Sequence, residues 1–215
     1  MNQLRIFVLS ITVSFLFSSE LKAQINKFEF GVEASPSFTF LKGSRIEKYY
    51  NGTLGFSGSI TFQYNWRKRI ALRTNIAYER KGGEGEFDFT DNYGASIGKG
   101  VVNLNFDYLT IPVLVRYTFG KRVKYFINGG SYFSYLIKQT LVFKGANSDG
   151  ESNNTSSYNR LDVGISLGIG LQYPINEKLI LSSEIRGNMG LANALPNGDL
   201  KVNSVNLLLG IAYRL

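Results

Sequence analysis

Residues 53–66 read Thr53-Leu54-Gly55-Phe56-Ser57-Gly58-Ser59-Ile60-Thr61-Phe62-Gln63-Tyr64-Asn65-Trp66. Every even position from Leu54 onward is apolar or glycine, and every odd position is small or polar. Side chains alternate between the two faces of a β-strand, so this run predicts a strand with one apolar and one polar face. Its length adds information. Strands of soluble domains run about 5–6 residues, whereas a tilted membrane-crossing strand needs about 9–11.

The same pattern recurs on both sides. Phe28, Phe30, Val32, Ala34, Phe38 and Phe40 mark a first strand, and the run above is the second. Ile70, Leu72, Thr74, Ile76 and Tyr78 mark a third, with Arg73, Asn75, Ala77 and Glu79 opposite. The fourth, residues 102–119, changes parity: Leu104, Phe106 and Tyr108 are even, while Ile111, Val113, Val115, Tyr117 and Phe119 are odd. Because a one-residue slip turns every side chain over, a β-bulge is expected near Leu109 and Thr110, where it also accommodates Pro112. In the fifth, residues 123–138, both faces are apolar, and Tyr125, Ile127, Phe133, Tyr135 and Ile137 are expected outward. Leu161, Val163, Ile165, Leu167, Ile169, Leu171 and Tyr173 define a sixth. A weaker seventh starts at Leu179 and ends near Gly187. The eighth, residues 202–215, carries Val205, Leu207, Leu209, Ile211, Tyr213 and Leu215 on one face.

Connections alternate in length. Residues 67–69, 120–122 and 174–178 form tight turns; residues 41–52, 81–101, 139–158 and 188–201 form long polar segments. An even number of strands joined short, long, short, long predicts an all-β, eight-stranded antiparallel up-and-down transmembrane barrel, with both termini on the short-turn rim. Tyr64, Trp66, Tyr117, Phe119, Tyr173 and Tyr213 all fall at strand ends beside short turns or the C-terminus, with Phe28 and Tyr125 at the same level. They form the expected periplasmic aromatic girdle. Phe38, Phe40, Phe56, Tyr78, Phe106 and Tyr135 form a looser ring at the other end.

The N-terminal 23 residues have a different character. Arg5 precedes a 12-residue apolar run, residues 6–17, broken only by Ser10, Thr12 and Ser14, and a polar stretch then ends at Ala23. This is the layout of a secretory signal peptide, too short to cross a membrane as a helix. Cleavage is expected after Ala23, leaving residues 24–215 as one barrel domain. No cysteine follows the cleavage site, which excludes a lipoprotein anchor.

The chain has no cysteine and no histidine, and its formal charge is +8. Removing residues 1–23, which carry Arg5, Lys22 and Glu20, lowers that by one. Without cysteine there is no disulfide framework or thiolate metal site. Without histidine the commonest general base and metal ligand is missing. No cofactor, metal site or catalytic residue is expected, and no exposed face interleaves basic and aromatic residues as a nucleic-acid groove would.

On the predicted inward face stand Arg73, Glu79, Asp107, Arg116, Asp162, Glu184, Arg186 and Arg214. Eight strands enclose an interior just filled by side chains, and charges buried there must pair. An arginine–carboxylate network plugging the lumen is expected, centred on Arg73, Glu79, Arg116, Asp162, Glu184 and Arg186. Arg67, Lys68 and Arg69, with Lys121, Arg122 and Lys124, concentrate positive charge on the short turns, where inner-leaflet phosphates or water would meet them.

Gly164-Ile165-Ser166-Leu167-Gly168 matches the hydrolase elbow G-x-S-x-G, but mid-strand and without histidine it lacks the context that motif requires. Residues 94–100 end in Gly-Lys-Gly, one residue short of a phosphate loop, with no Ser or Thr after Lys99 and no helix following. Asn51-Gly52-Thr53 and Asn153-Asn154-Thr155 are formal glycosylation sequons without consequence in a bacterial outer membrane.

Tyr108-Leu109-Thr110-Ile111-Pro112-Val113-Leu114-Val115-Arg116-Tyr117 resembles the Ile-Pro strand of the PorT-like family of outer-membrane β-barrel proteins. Tyr125-Phe126-Ile127-Asn128-Gly129-Gly130, residues 164–173, and the closing Leu209-Gly210-Ile211-Ala212-Tyr213-Arg214-Leu215 are similar to its later segments. The final residue departs from the phenylalanine common in outer-membrane barrels, with Tyr213 supplying an aromatic two positions earlier. The resemblance, over roughly residues 26–215, implies an integral barrel of the Gram-negative outer membrane, inserted by the barrel-assembly machinery and surrounded by outer-membrane lipids. It implies a structural or interaction role through surface loops, or an accessory role in type IX-like protein secretion with secretion-system or surface proteins as partners. A membrane-embedded enzyme and a soluble lipocalin-type ligand binder are the remaining readings; the latter requires an apolar interior and a polar exterior.

Overall fold

The computed structural model describes residues 27–43, 47–90, 93, 96–145 and 149–215. The expected cleavage site after Ala23 lies outside the described residues. Among the described residues nine strands form: β1 (Phe28–Lys42), β2 (Asn51–Asn65), β3 (Ile70–Thr90), β4 (Ser96–Gly120), β5 (Lys124–Lys144), β6 (Asp149–Asn153), β7 (Leu161–Pro174), β8 (Leu179–Gly190) and β9 (Lys201–Arg214). All pairings are antiparallel. β1 pairs with β9, and β4 with β5, so eight strands close into a ring, while short β6 only extends the outer end of β5.

Reach follows from strand length. The 14 residues of β7 at about 3.3 Å each, tilted by about 40°, cover about 35 Å, more than the apolar band of about 25 Å that such barrels present. Alternation then sorts the surface. Phe30, Val32, Ile60, Ile76, Val113, Leu167, Ile169, Ile185, Leu207 and Leu209 are exposed on the outside, while Ser35, Ser37, Thr61, Asn75, Ser166 and Asn206 are buried inside. Apolar side chains exposed on every strand of the ring and polar ones enclosed is the inverse of a soluble protein.

The short turns have local causes. Arg67 and Ile70 exchange backbone hydrogen bonds of 2.9 and 3.2 Å, closing a two-residue hairpin. Gly120 ends β4 at φ 101°, a conformation that glycine adopts without penalty. Asn176 Oδ1 accepts the N–H groups of Lys178 and Leu179 at 2.9 and 2.7 Å, folding the turn before β8.

Three expectations change. The segment 81–101 is largely strand: β3 runs to Thr90 and β4 starts at Ser96, a long outer hairpin hidden by its glycines and charges. The parity change in β4 does not turn the chain over. Leu104, Phe106 and Tyr108 are buried inside, in step with Thr110, Leu114 and Arg116, and Phe106, expected in the outer aromatic ring, is fully enclosed. No bulge is needed for Pro112 either. The β3–β4 ladder lapses beside it and resumes in the same register, as happens between β1 and β9 at Pro36; a proline that lacks only one donor costs one rung. The register shift lies between Asp107 and Tyr108 and leaves β5 Ile137 unpaired, so β5 is the strand that switches parity.

Candidate functional site: the filled lumen and its short-turn mouth

Among the described residues, eleven charged side chains point into the barrel below its outer mouth: Arg73, Lys81, Arg116, Lys124, Arg186 and Arg214 against Glu29, Glu33, Glu79, Asp162 and Glu184. Six positive charges face five negative ones. The centre is Glu184 on β8. Arg186 grips it with a fork, Nε to Oε1 at 2.7 Å and Nη2 to Oε2 at 2.8 Å. Arg116 reaches the same carboxylate at 3.4 Å, donates from Nε to Asn128 Oδ1 at 2.9 Å, and stacks on Phe126 with 3.6 Å from guanidinium carbon to ring centroid. These planar forks are what arginine offers and lysine does not.

Around this centre, Arg73 pairs with Glu33 of β1. Lys81 Nζ lies 2.8 Å from Glu79 Oε2 and over the rings of Tyr108 and Tyr132. Thr110 donates to Glu79 at 3.0 Å and touches Ser134 at 2.8 Å. Asp162 accepts from the Tyr132 hydroxyl at 3.1 Å and has no cation within ion-pair distance among the described residues. Arg214 meets Glu29 at 3.1 Å near the short-turn end. The six named residues Arg73, Glu79, Arg116, Asp162, Glu184 and Arg186 therefore all line the lumen, but in separate groups rather than one continuous network.

Glu29, Glu33 and Lys81 complete three of these pairs, and sequence reasoning missed them. Their inward parity on β1 and β3 was the available signal. Asp107 moves the other way. It faces outward, held by Arg80 at 2.7 and 2.9 Å, and Arg80 in turn lies over Phe56 on the exterior.

The G-x-S-x-G stretch has a packing explanation. Gly164, Ser166 and Gly168 point inward on β7; a Cβ at Gly164 would strike the Tyr132 ring, one at Gly168 the Glu184 carboxylate, and one at Gly170 the Phe126 ring. Ser166 donates to Asn188 at 2.5 Å. The glycines give room to the side chains that fill the barrel.

Toward the long-loop end the interior turns apolar. Leu41, Leu104, Phe106, Tyr108, Leu136, Ala194, Leu200 and Val202 form one buried cluster, with Tyr50, Leu141, Tyr158 and Leu195 against it. The backbone N–H of Ala194 donates to Leu200 at 2.6 Å, and that of Asn159 to Ala194 at 2.8 Å, so residues 191–200 fold into the mouth as a stopper. Burial against this surface pushes the hydroxyls of Tyr50 and Tyr158 upward in pKa.

At the opposite end Trp66, Tyr117, Phe119, Tyr173 and Tyr213 stand exposed on the exterior beside the short turns, and Tyr64 is half-buried there. Phe28 joins Tyr64 at 5.2 Å, and Phe119 joins both Tyr117 and Tyr125. Basic turn residues lean on these rings: Arg67 over Trp66, Arg69 to the Tyr117 hydroxyl, Arg122 to the Tyr173 hydroxyl and Lys178 over Tyr213.

Known proteins agree with this architecture. A family model described as an outer membrane protein β-barrel domain matches residues 17–195. Neisserial surface protein A is similar in structure, with 17% identity, a TM-score of 0.50, and coverage of 88% of this chain and 97% of that one. A major outer membrane protein from Thermus thermophilus is 16% identical over 87% of this chain and 99% of its own, with a TM-score of 0.48. The attachment invasion locus protein Ail of Yersinia pestis is 15% identical over 88% and 99%, with a TM-score of 0.45. No curated protein matches the sequence.

Proposed function

The chain belongs to the family of outer membrane protein β-barrel domains, and from that membership we propose that it is a closed, non-conducting barrel acting through its outer loops and rims. The carrying observation is the interior: among the described residues, ion-paired side chains fill the lumen below a buried cluster of apolar ones, a filling that supports a closed barrel. A barrel closed in this way works by what its surfaces present. Its barrel body is anchored among lipids by the exposed apolar belt, and the long outer hairpin of β3 and β4, with β6 beside it, supplies the surface for a partner.

In this reading residues 1–23 direct export and are removed. The short turns face the periplasm, Trp66 and its neighbours form the periplasmic girdle, and the barrel-assembly machinery inserts a Gram-negative outer-membrane protein. No nucleic acid, cofactor or catalysis enters.

An accessory role in type IX-like secretion is favoured by the PorT-like stretch Tyr108-Leu109-Thr110-Ile111-Pro112-Val113-Leu114-Val115-Arg116-Tyr117. That stretch is built into the wall: Ile111, Val113, Val115 and Tyr117 face outward, and Leu114 and Arg116 inward. It offers nothing to a soluble partner, which supports the free-standing role. Planar-bilayer recording tests the closed state: the purified barrel is expected to give no unitary current steps, and regular steps overturn it. Crosslinking on intact outer membranes separates the two roles, since recovery of secretion-system components would favour the accessory.

A further inference from the structure

The mouth at the short-turn end holds a cavity of about 270 Å³. Its charged lining is Arg67, Lys68, Arg69, Lys124, Arg214 and Glu29. Glu29 is already engaged, by Arg214 at 3.1 Å and by the amides of Gln63 and Asn65 at 3.0 and 3.1 Å. Arg67, Lys68, Arg69 and Lys124 have no acidic partner among the described residues. Deeper in the lumen Glu33, Glu79 and Glu184 each meet a cation; around the mouth, Arg67, Lys68, Arg69 and Lys124 add four positive charges to the Arg214–Glu29 pair. Solvent screens the repulsion among the exposed turn cations, and a multivalent anion at the cavity would be attracted by all of them at once.

A second observation narrows the anion. Gln63 lines the same cavity and is only 3% exposed, yet its Oε1 has no hydrogen-bond partner, its Nε2 being spent on Glu29 and Asn65. A ligand that accepts from several cations at once complements this lining, and one that also carries a donor could meet the Gln63 oxygen in the cavity wall if the side chain shifts. A carboxylate has two acceptor oxygens and no donor. A phosphate group has more oxygens, matches guanidinium forks, and comes with a donor beside it: the P–OH of a monoester, or the hydroxyl or ammonium of a headgroup.

Position agrees with the chemistry. Arg67 lies 5.1 Å from the centroid of the exposed Trp66 ring, and Arg69 is 3.4 Å from the Tyr117 hydroxyl. The same turn thus touches both the cavity and the exterior aromatic ring, where headgroup phosphates sit. We propose that the short-turn mouth is a phosphate-binding site, filled by a phospholipid headgroup of the adjoining leaflet or by a soluble phosphate.

Trp66 is the chain's single tryptophan and reports on the site. The full processed chain in maltoside micelles is titrated with inorganic phosphate at constant ionic strength, by calorimetry and Trp66 emission. Saturable binding is expected. The R67Q/R69Q double variant should weaken it at least tenfold, whereas K121Q/R122Q, which removes the same charge from the neighbouring turn, should change it less than twofold. In a second arm, native mass spectrometry follows protein extracted from phosphatidylglycerol bilayers. Phospholipid retained by the wild type and lost from R67Q/R69Q assigns a headgroup, and phosphate binding without retained lipid assigns a soluble ligand. Absence of both, or equal loss in the two double variants, overturns the proposal; the wild-type titration stands even if a variant fails to fold.

Discussion

The two halves of the lumen solve the same problem with opposite chemistry. Near the short turns, Arg116 and Arg186 share Glu184, and Arg73 takes Glu33, all inside a wall that is apolar only on its outer side. Near the long loops, Leu41, Phe106, Leu136 and Leu200 fill the same width with hydrocarbon. Between them Lys81, Glu79, Thr110 and Tyr132 form the transition. The difference teaches that inward polarity is not a property of barrel strands as such. What the interior requires is filled volume and satisfied charge. The apolar half meets both with no partner geometry, whereas the ionic half meets them only when each pair is complete.

That contrast is breakable by substitution. The largest effect is expected from Glu184→Ala, which leaves two buried guanidiniums without their carboxylate and should destabilise by about 3–5 kcal/mol. Urea unfolding in lipid vesicles, read from heat-modifiable gel mobility, checks it; a loss below about 1 kcal/mol would mean the charges are solvated rather than paired.

In the apolar half, Leu136→Ala should cost about 2–5 kcal/mol through lost burial and the cavity left behind, read by the same unfolding measurement. Outside both halves, Leu167→Arg places a charge in the lipid-facing belt and should cost about 2–4 kcal/mol, while the adjacent inward Ser166→Ala should cost less. Reversal of that order would place lipid on the wrong side of the wall. The smallest effect belongs to Lys138→Ala. Its pair with Glu151 at 3.1 Å is solvent-exposed, so removal should stay within about 1 kcal/mol. A larger loss would show the β5–β6 extension to be integral to the barrel.

Much of this architecture is legible along the chain because the outside of the wall has a uniform partner. Lipid treats Ile60, Ile76, Leu167 and Leu209 alike, so each strand's local alternation is enough to orient it. The same rule misreads β4. Leu104, Phe106 and Tyr108 look lipid-facing because they are apolar, but their parity with Arg116 is unbroken, and a change of polarity is not a change of face. The true register shift, at β5 Ile137, leaves no trace in a strand apolar on both sides. In the short-turn mouth the cations of residues 67–69 are plain, but their meeting with Lys124, Arg214 and Gln63 depends on how strands far apart in sequence close the ring.

The sequence by itself determined the strand period, the even strand number, the alternation of short and long connections, and the apolar outer face, since each depends only on neighbours along the chain. Tertiary structure alone decided that Arg116 meets Glu184 across 68 positions, that residues 191–200 stopper the barrel, and that four cations gather around one mouth. Those contacts join residues on different strands, and strand closure with its register, rather than any local pattern, sets which side chains share a level.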